Sequence, residues 1–325
     1  MDRIDVALTT AAGAALAAAG AAPANAALVD DDIRHLLSRT GFGPTPAELS
    51  SFAGLSFAQA VDRILGDMRT KAAQPLPPFT SESIADLAQL RREQRAPAGS
   101  AASSGRPPIQ PKIVKVIVEQ AIAAKAWWYE ELLNTPSPFT ERMVLFWHNH
   151  FVSAVRKVRY VPALLRQNEL FRREAAGNFG RLLHEVTRDP AMLIYLDGAT
   201  SRRNQPTENF AREMMELFTL GEGNYSEQDV KQAARAFTGN SLDRQTGLFR
   251  FYPALHDDGV KTVFGQSGAF DGDQIVDLLL RNPRTAEFVV AKLWREFVSL
   301  TPDEREIKRL AGLFRAGNYE LKPLL

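Results

Sequence analysis

The chain of 325 residues contains no cysteine. That excludes disulfides, thiolate-ligated zinc, iron–sulfur clusters and thiol nucleophiles, and leaves histidine, carboxylate and carbonyl oxygen as the ligands of any metal. Net charge is equally scarce. The 39 Lys and Arg residues against 38 Asp and Glu leave +1, which provides no global field to hold nucleic acid or an anionic membrane surface. Beyond the N-terminus no run approaches the ~18 uninterrupted apolar residues a bilayer demands, so no stable membrane span is expected. A GxSxG elbow, a Walker loop and a dinucleotide glycine fingerprint are all missing, and serine-hydrolase, P-loop and Rossmann readings fall with them. What is present is 45% hydrophobic content, enough for a substantial core in one large domain or two average ones.

The first 26 residues combine a short polar start, an alanine-rich apolar run and a small-residue ending at Ala24-Asn25-Ala26. This is the pattern of an export signal, and with the absence of cysteine it points to a periplasmic or secreted protein. From Asp30 onward the local signals are helical. Thr45-Pro46-Ala47-Glu48 supplies an N-cap hydroxyl, proline at the first helical position and a Glu to close a capping box, and Ser56 with Gln59 repeats the device. Residues 27–94 read as an N-terminal helical region, and residues 95–111, rich in Ala, Pro, Ser and Gly, as a flexible linker or loop. Residues 112–325 read as a helical core, with helices over Lys112 to Leu133, Pro162 to Ala176, Thr285 to Phe297 and Pro302 to Ala316. LFRFYP and KTVF flank His256-Asp257-Asp258-Gly259 and predict the only strands, a small hairpin near 248–263. The expected fold is therefore mainly α, an irregular multi-helix bundle with one small β-hairpin.

Five separated blocks occur in order: HLLSRTGFGPTPAEL, ERMVLFWHNHF, DPAMLIYLDG, ENFAREMMELFTLGEGNYSEQDVKQAARAFTG and HDDGVKTVFGQSGAFDGDQIVDLLL. Together they resemble the bacterial domain of unknown function 1800, from Asp31 to the end of the chain. The resemblance implies a mostly helical, exported bacterial protein, encoded beside an exported family similar to alkaline-phosphatase-type enzymes, and so a possible partner of that kind. Relatives continue past the GNYELKPLL-like segment into another helix, so the chain is expected to stop short of the family's C-terminus. The resemblance implies no reaction.

In a cysteine-free chain histidines are the main nitrogen ligands and the side chains poised to titrate near neutrality. His148 and His150 lie in MVLFWHNHFVSAV, a segment apolar nearly all round and therefore buried. Buried polar groups left unpaired cost about 1–3 kcal/mol each, so both must find hydrogen bonds or ligands. Two residues apart on a continuous helix, they point about 200° from one another and grip one ion only if the helix ends or bends at Asn149. Glu141, seven residues earlier, is placed to orient the His148 imidazole. A divalent metal (zinc, iron, copper or manganese) on His148 and His150 and a hydrogen-bonded structural pair both remain open.

ENFAREMMELFTLG places Glu208, Asn209, Arg212, Glu213 and Glu216 on one helical face and Phe210, Met214, Leu217 and Phe218 on the other. Ion pairs on a solvated face account for this, or else Glu213 and Glu216 serve as ligands or general bases while Arg212 holds an anionic substrate group. His256, on a loop beside carboxylates, is a third candidate for proton transfer or metal ligation. Arg156, Lys157, Arg159, Arg202 and Arg203 concentrate positive charge locally; if they rim a cleft they favour an anionic ligand such as an acidic envelope polysaccharide or a phosphorylated group. The expectation is that His148, His150, His256, Glu213 and Glu216 converge in one site. Two functions follow: an exported metal-dependent enzyme, hydrolytic before oxidative, acting on an envelope or extracellular polymer, or a non-catalytic envelope scaffold or binding protein for an exported partner.

Overall fold

The structure, a computed structural model, describes residues 26–93 and 111–325. The expected export segment and the linker, apart from residues 26 and 111, lie outside the described residues. Helices α1 (Asp30–Thr40), α2 (Pro46–Phe52), α3 (Phe57–Gly66) and α4 (Ile84–Glu93) precede the long α5 (Pro111–Asn134). The middle of the chain forms α6 (Pro138–His150), α7 (Val155–Val158), α8 (Val161–Arg173), α9 (Phe179–Arg188), α10 (Pro190–Tyr195), α11 (Glu208–Glu216) and α12 (Glu227–Ala236). Two small hairpins follow, then α13 (Gly272–Arg281), α14 (Pro283–Phe297) and α15 (Glu304–Ala316). The fold is thus predominantly helical. Among the described residues no helix is long and apolar enough to cross a membrane.

Local chemistry sets the helix starts. At α2 the Thr45 hydroxyl accepts from the Glu48 N–H while the Glu48 carboxylate accepts from the Thr45 N–H at 2.7 Å. Ser56 with Gln59 and Asp271 with Gln274 do the same for α3 and α13. Each reciprocal pair satisfies two amides that a helix terminus otherwise leaves without partners.

Strand pairing departs from the expectation of one hairpin across His256. Strand β1 (Asn240–Leu242) pairs antiparallel with β2 (Phe249–Phe251), and β3 (Lys261–Val263) with β4 (Gln266–Gly268). The two segments that flank His256 are strands, but each turns away from the other. Asp258-Gly259 does not form a hairpin turn, because the Asp257 carboxylate accepts from the Gly259 N–H at 3.0 Å and is held by Arg235. The tight turn instead falls at Phe264-Gly265, both with positive φ (49° and 74°), as the two-residue turn of a right-twisted hairpin requires.

The core is aromatic. Trp147 and Phe151 of the α6 end, Phe171 of α8 and Phe179 of α9 are fully buried and stack on one another. Around them α6 packs on α8, α11 on α12, and α14 on α15. His150 therefore sits at the centre of the bundle, with His148 half-buried.

Candidate functional site

Helix α6 runs unbroken through His150, so its two histidines face different neighbours. The His148 Nε2 lies 3.1 Å from Asn168 Nδ2, and its ring packs against Trp128 and edge-on to Phe171. Burial first, and then the positive charge of Arg172, lower its pKa to about 3, so the imidazole is neutral and accepts the amide proton. Glu141 does not orient this ring. Its two oxygens accept from Arg172 Nε at 2.6 Å and Nη2 at 2.9 Å, and it also accepts from Trp128 Nε1 at 3.0 Å. Arg172, fully buried, pairs further with Glu169 and lies under the Trp127 ring. Nothing in the sequence marks Arg172, whose helix reads as one more amphipathic segment.

His150 is 3% exposed and has a partner on each nitrogen. Its Nε2 is 3.1 Å from the Phe218 carbonyl oxygen, and its Nδ1 3.1 Å from Lys292 Nζ. Lysine only donates, so Nδ1 accepts and Nε2–H donates to Phe218. Burial, with Lys292 beside it, holds the imidazole well below its usual pKa. Lys292 also donates to the Leu217 carbonyl at 2.9 Å and sits over the Phe288 ring, while burial lowers its pKa to about 8. Together His150 and Lys292 satisfy carbonyls just past the end of α11, where the helix leaves acceptors unpaired and its dipole favours a cation. Lys292→Met keeps most of the apolar stem and removes these bonds; it is expected to cost about 1 kcal/mol in urea denaturation, and a variant as stable as the parent contradicts this role.

The acidic helix is largely self-satisfied. The Arg212 guanidinium is bonded to Glu227 of α12 at 2.6 and 2.8 Å and to Glu208 at 3.3 Å, and so joins two helices. Glu216 accepts from the Tyr225 hydroxyl. Glu213 differs: its Oε2 is buried without a hydrogen-bond partner, and burial together with the neighbouring Glu216 raises its pKa. His256 belongs to another network, with Nδ1 2.8 Å from the Thr238 carbonyl and its ring against Phe251.

The candidates thus fall into separate partner sets. His150 meets the end of the Glu213–Glu216 helix through backbone carbonyls; His148 and His256 bond elsewhere. Among the described residues no three His, Asp or Glu side chains come together as metal ligands. The expected ligand pair therefore finds no third member, and both His150 nitrogens are already engaged.

A groove of about 580 Å³ opens between the Ala199 turn, the β1–β2 hairpin and the 254–255 turn. Arg202, Arg244 and Arg250 line it, with Ser241, Gln245 and Tyr252 between them. Arg250 pairs with Asp243 at 2.9 Å and stacks on Tyr252. Arg202 and Arg244 are exposed and engage no side-chain partner among the described residues. Of the basic residues singled out from sequence, Arg202 alone lines this groove; Lys157 instead pairs with Asp197 at 2.8 Å. Nothing in the sequence marks Arg244 and Arg250, because they flank a turn whose concave surface forms only in the fold.

Nothing among curated proteins or solved structures matches the chain. Residues 35–325 match a family model described as a protein of unknown function, DUF1800, and the chain belongs to that family.

Proposed function

We propose that the chain is an exported binding protein for an acidic polysaccharide, held in the groove of Arg202, Arg244 and Arg250. The observation that carries this is two uncommitted guanidinium groups beside a third in one concave surface of a protein whose net charge is only +1. Guanidinium forks match carboxylates two bonds at a time, and an open groove admits a chain that passes through it. Ser241, Gln245 and Tyr252 add the hydrogen-bonding groups that sugar hydroxyls use. The export reading of residues 1–26 belongs to the same proposal and places the protein where such polymers occur; N-terminal sequencing from the native host, with Met1 retained, counts against it.

The test is binding of a fluorescent oligogalacturonate by the parent and by the Arg202→Ala/Arg244→Ala variant. Two charge-assisted bonds removed from an exposed groove predict an affinity loss of about tenfold or more, with an unchanged circular dichroism spectrum. Equal affinity contradicts the proposal.

A second reading, hydrolysis of an acidic polymer, rests on Glu213, which does not line the groove and whose Oε2 is buried without a hydrogen-bond partner. Burial first, and then the neighbouring Glu216, raise its pKa, the direction in which a general acid is tuned. If Glu213 acts so, the parent shortens the oligogalacturonate and Glu213→Gln does not; a polymer left intact by the parent leaves binding alone.

A further inference from the structure

The arginine groove is also lined by a carboxylate, that of Asp243. By charge alone it opposes an anionic ligand. Its bonds give it another task. Oδ1 accepts from the backbone N–H of Thr246 at 2.9 Å and of Gln245 at 3.0 Å, and from the Thr246 hydroxyl at 3.2 Å. Oδ2 accepts from Arg250 Nη1 at 2.9 Å. These bonds, the Thr246 amide first, lower the carboxyl pKa to about 2, so the group is ionised at neutral pH. The turn between β1 and β2 is thus folded around one side chain, and Arg244 and Gln245 of the groove ride on it.

The same turn is fastened from outside. The Ala85 N–H donates to the Gln245 carbonyl at 3.1 Å. The Tyr160 hydroxyl donates to the Glu82 carbonyl at 2.7 Å and lies 3.4 Å from that of Thr246. Gly247 has a φ of 71°, and a Cβ there would stand 2.9 Å from the Tyr160 ring, so glycine lets the turn lie this close. A turn held on both sides presents the exposed Arg244 from a fixed backbone, and a fixed backbone loses less freedom when a ligand is bound.

We propose that Asp243 is the positioning residue of the groove, fixing the turn that presents Arg244 and Gln245 at the cost of one positive charge, a role that rests on the groove being the polysaccharide site. The turn depends on the Oδ1 acceptor and not on the charge, and two variants separate them. Asp243→Asn and Asp243→Ala remove the same charge, but asparagine keeps an acceptor for the turn amides. The readout is titration of the full chain with the fluorescent oligogalacturonate. Asp243→Asn is expected to bind about two- to threefold more tightly than the parent, because Arg250 is released to the ligand. Asp243→Ala is expected to bind about fivefold more weakly, because the turn loosens. Gly247→Ala alters no charge and no lining side chain, and is expected to weaken binding by a similar factor, about fivefold. Amide exchange at Gln245 and Thr246 is expected to quicken with Asp243→Ala and not with Asp243→Asn. Asp243→Ala binding as tightly as the parent, or as tightly as Asp243→Asn, overturns the positioning role and leaves the groove as the binding site. A parent that does not bind the oligomer is a different failure, which removes the groove as the polysaccharide site and the role of Asp243 with it.

Discussion

Arg172→Met is expected to destabilise the protein by about 3–5 kcal/mol, more than any other single change considered for this chain. The guanidinium and the Glu141 carboxylate are 0% and 1% exposed, so removing the cation leaves an anion in the core with Trp128 Nε1 as its remaining side-chain donor. Methionine fills most of the stem's volume, so the loss measures the charge and not a cavity. Arg172→Lys restores charge without the fork and is expected to recover only part of the loss, because one ammonium cannot reproduce the paired Nε and Nη2 bonds. Adding Glu141→Gln to Arg172→Met should recover stability, since the uncompensated charge is then gone. Guanidinium denaturation reads all four chains. A loss below about 1 kcal/mol for Arg172→Met contradicts the account of this network.

Acidification supplies the second large effect. In the fold His148 is held near pKa 3 and His150 well below its usual value, whereas in the unfolded chain both titrate near 6.5. Their stabilising contribution is complete above about pH 6.5 and is lost as pH falls, because the unfolded chain then binds two protons that the fold refuses. Asp189 acts in the opposite sense. Buried as the N-cap of α10, it is raised to about 7 by burial, so between its unfolded value of about 3.9 and pH 7 the fold retains a proton that the unfolded chain releases. Two protons against one bring the net loss toward about 1.4 kcal/mol per pH unit once the unfolded histidines are charged, or about 1.5 kcal/mol from pH 6.5 to pH 5. Urea denaturation at several pH values measures the slope. Asp189→Asn should make it steeper, and a stability that is flat or rising across this interval contradicts the neutral-histidine account.

What was legible in the sequence was local. Helix starts at Thr45, Ser56 and Asp271 are set by residues three positions apart, so the spacing alone identifies them. The long helices predicted over Lys112 to Leu133 and Thr285 to Phe297 occur as Pro111–Asn134 and Pro283–Phe297. Strand pairing was not legible, because register depends on the partner. Phe264 is an unusual residue for a left-handed turn position, while Asp258-Gly259 imitates one that Arg235 and Asp257 forestall. At the histidines the sequence showed that two polar rings lie in an apolar segment and must be satisfied. It could not show by what, since Asn168 is 20 residues away and Lys292 is 142. The groove was least visible of all: Arg202 and Arg244 come together only when the Ala199 turn packs beside the β1–β2 hairpin.

Calorimetric titration of the full chain with oligogalacturonate, beside a neutral galactan of equal length, bears most directly on the groove. The acidic chain is expected to bind and the neutral one not. Affinity should fall as salt rises from about 50 to about 200 mM, since the attraction is between charges at the surface. In arginine-selective NMR of the same mixture, the Nε–H signals of Arg202 and Arg244 should move, while that of Arg172, buried with Glu141, stays in place. Equal affinity for both polymers, or binding that moves neither Arg202 nor Arg244, contradicts the account.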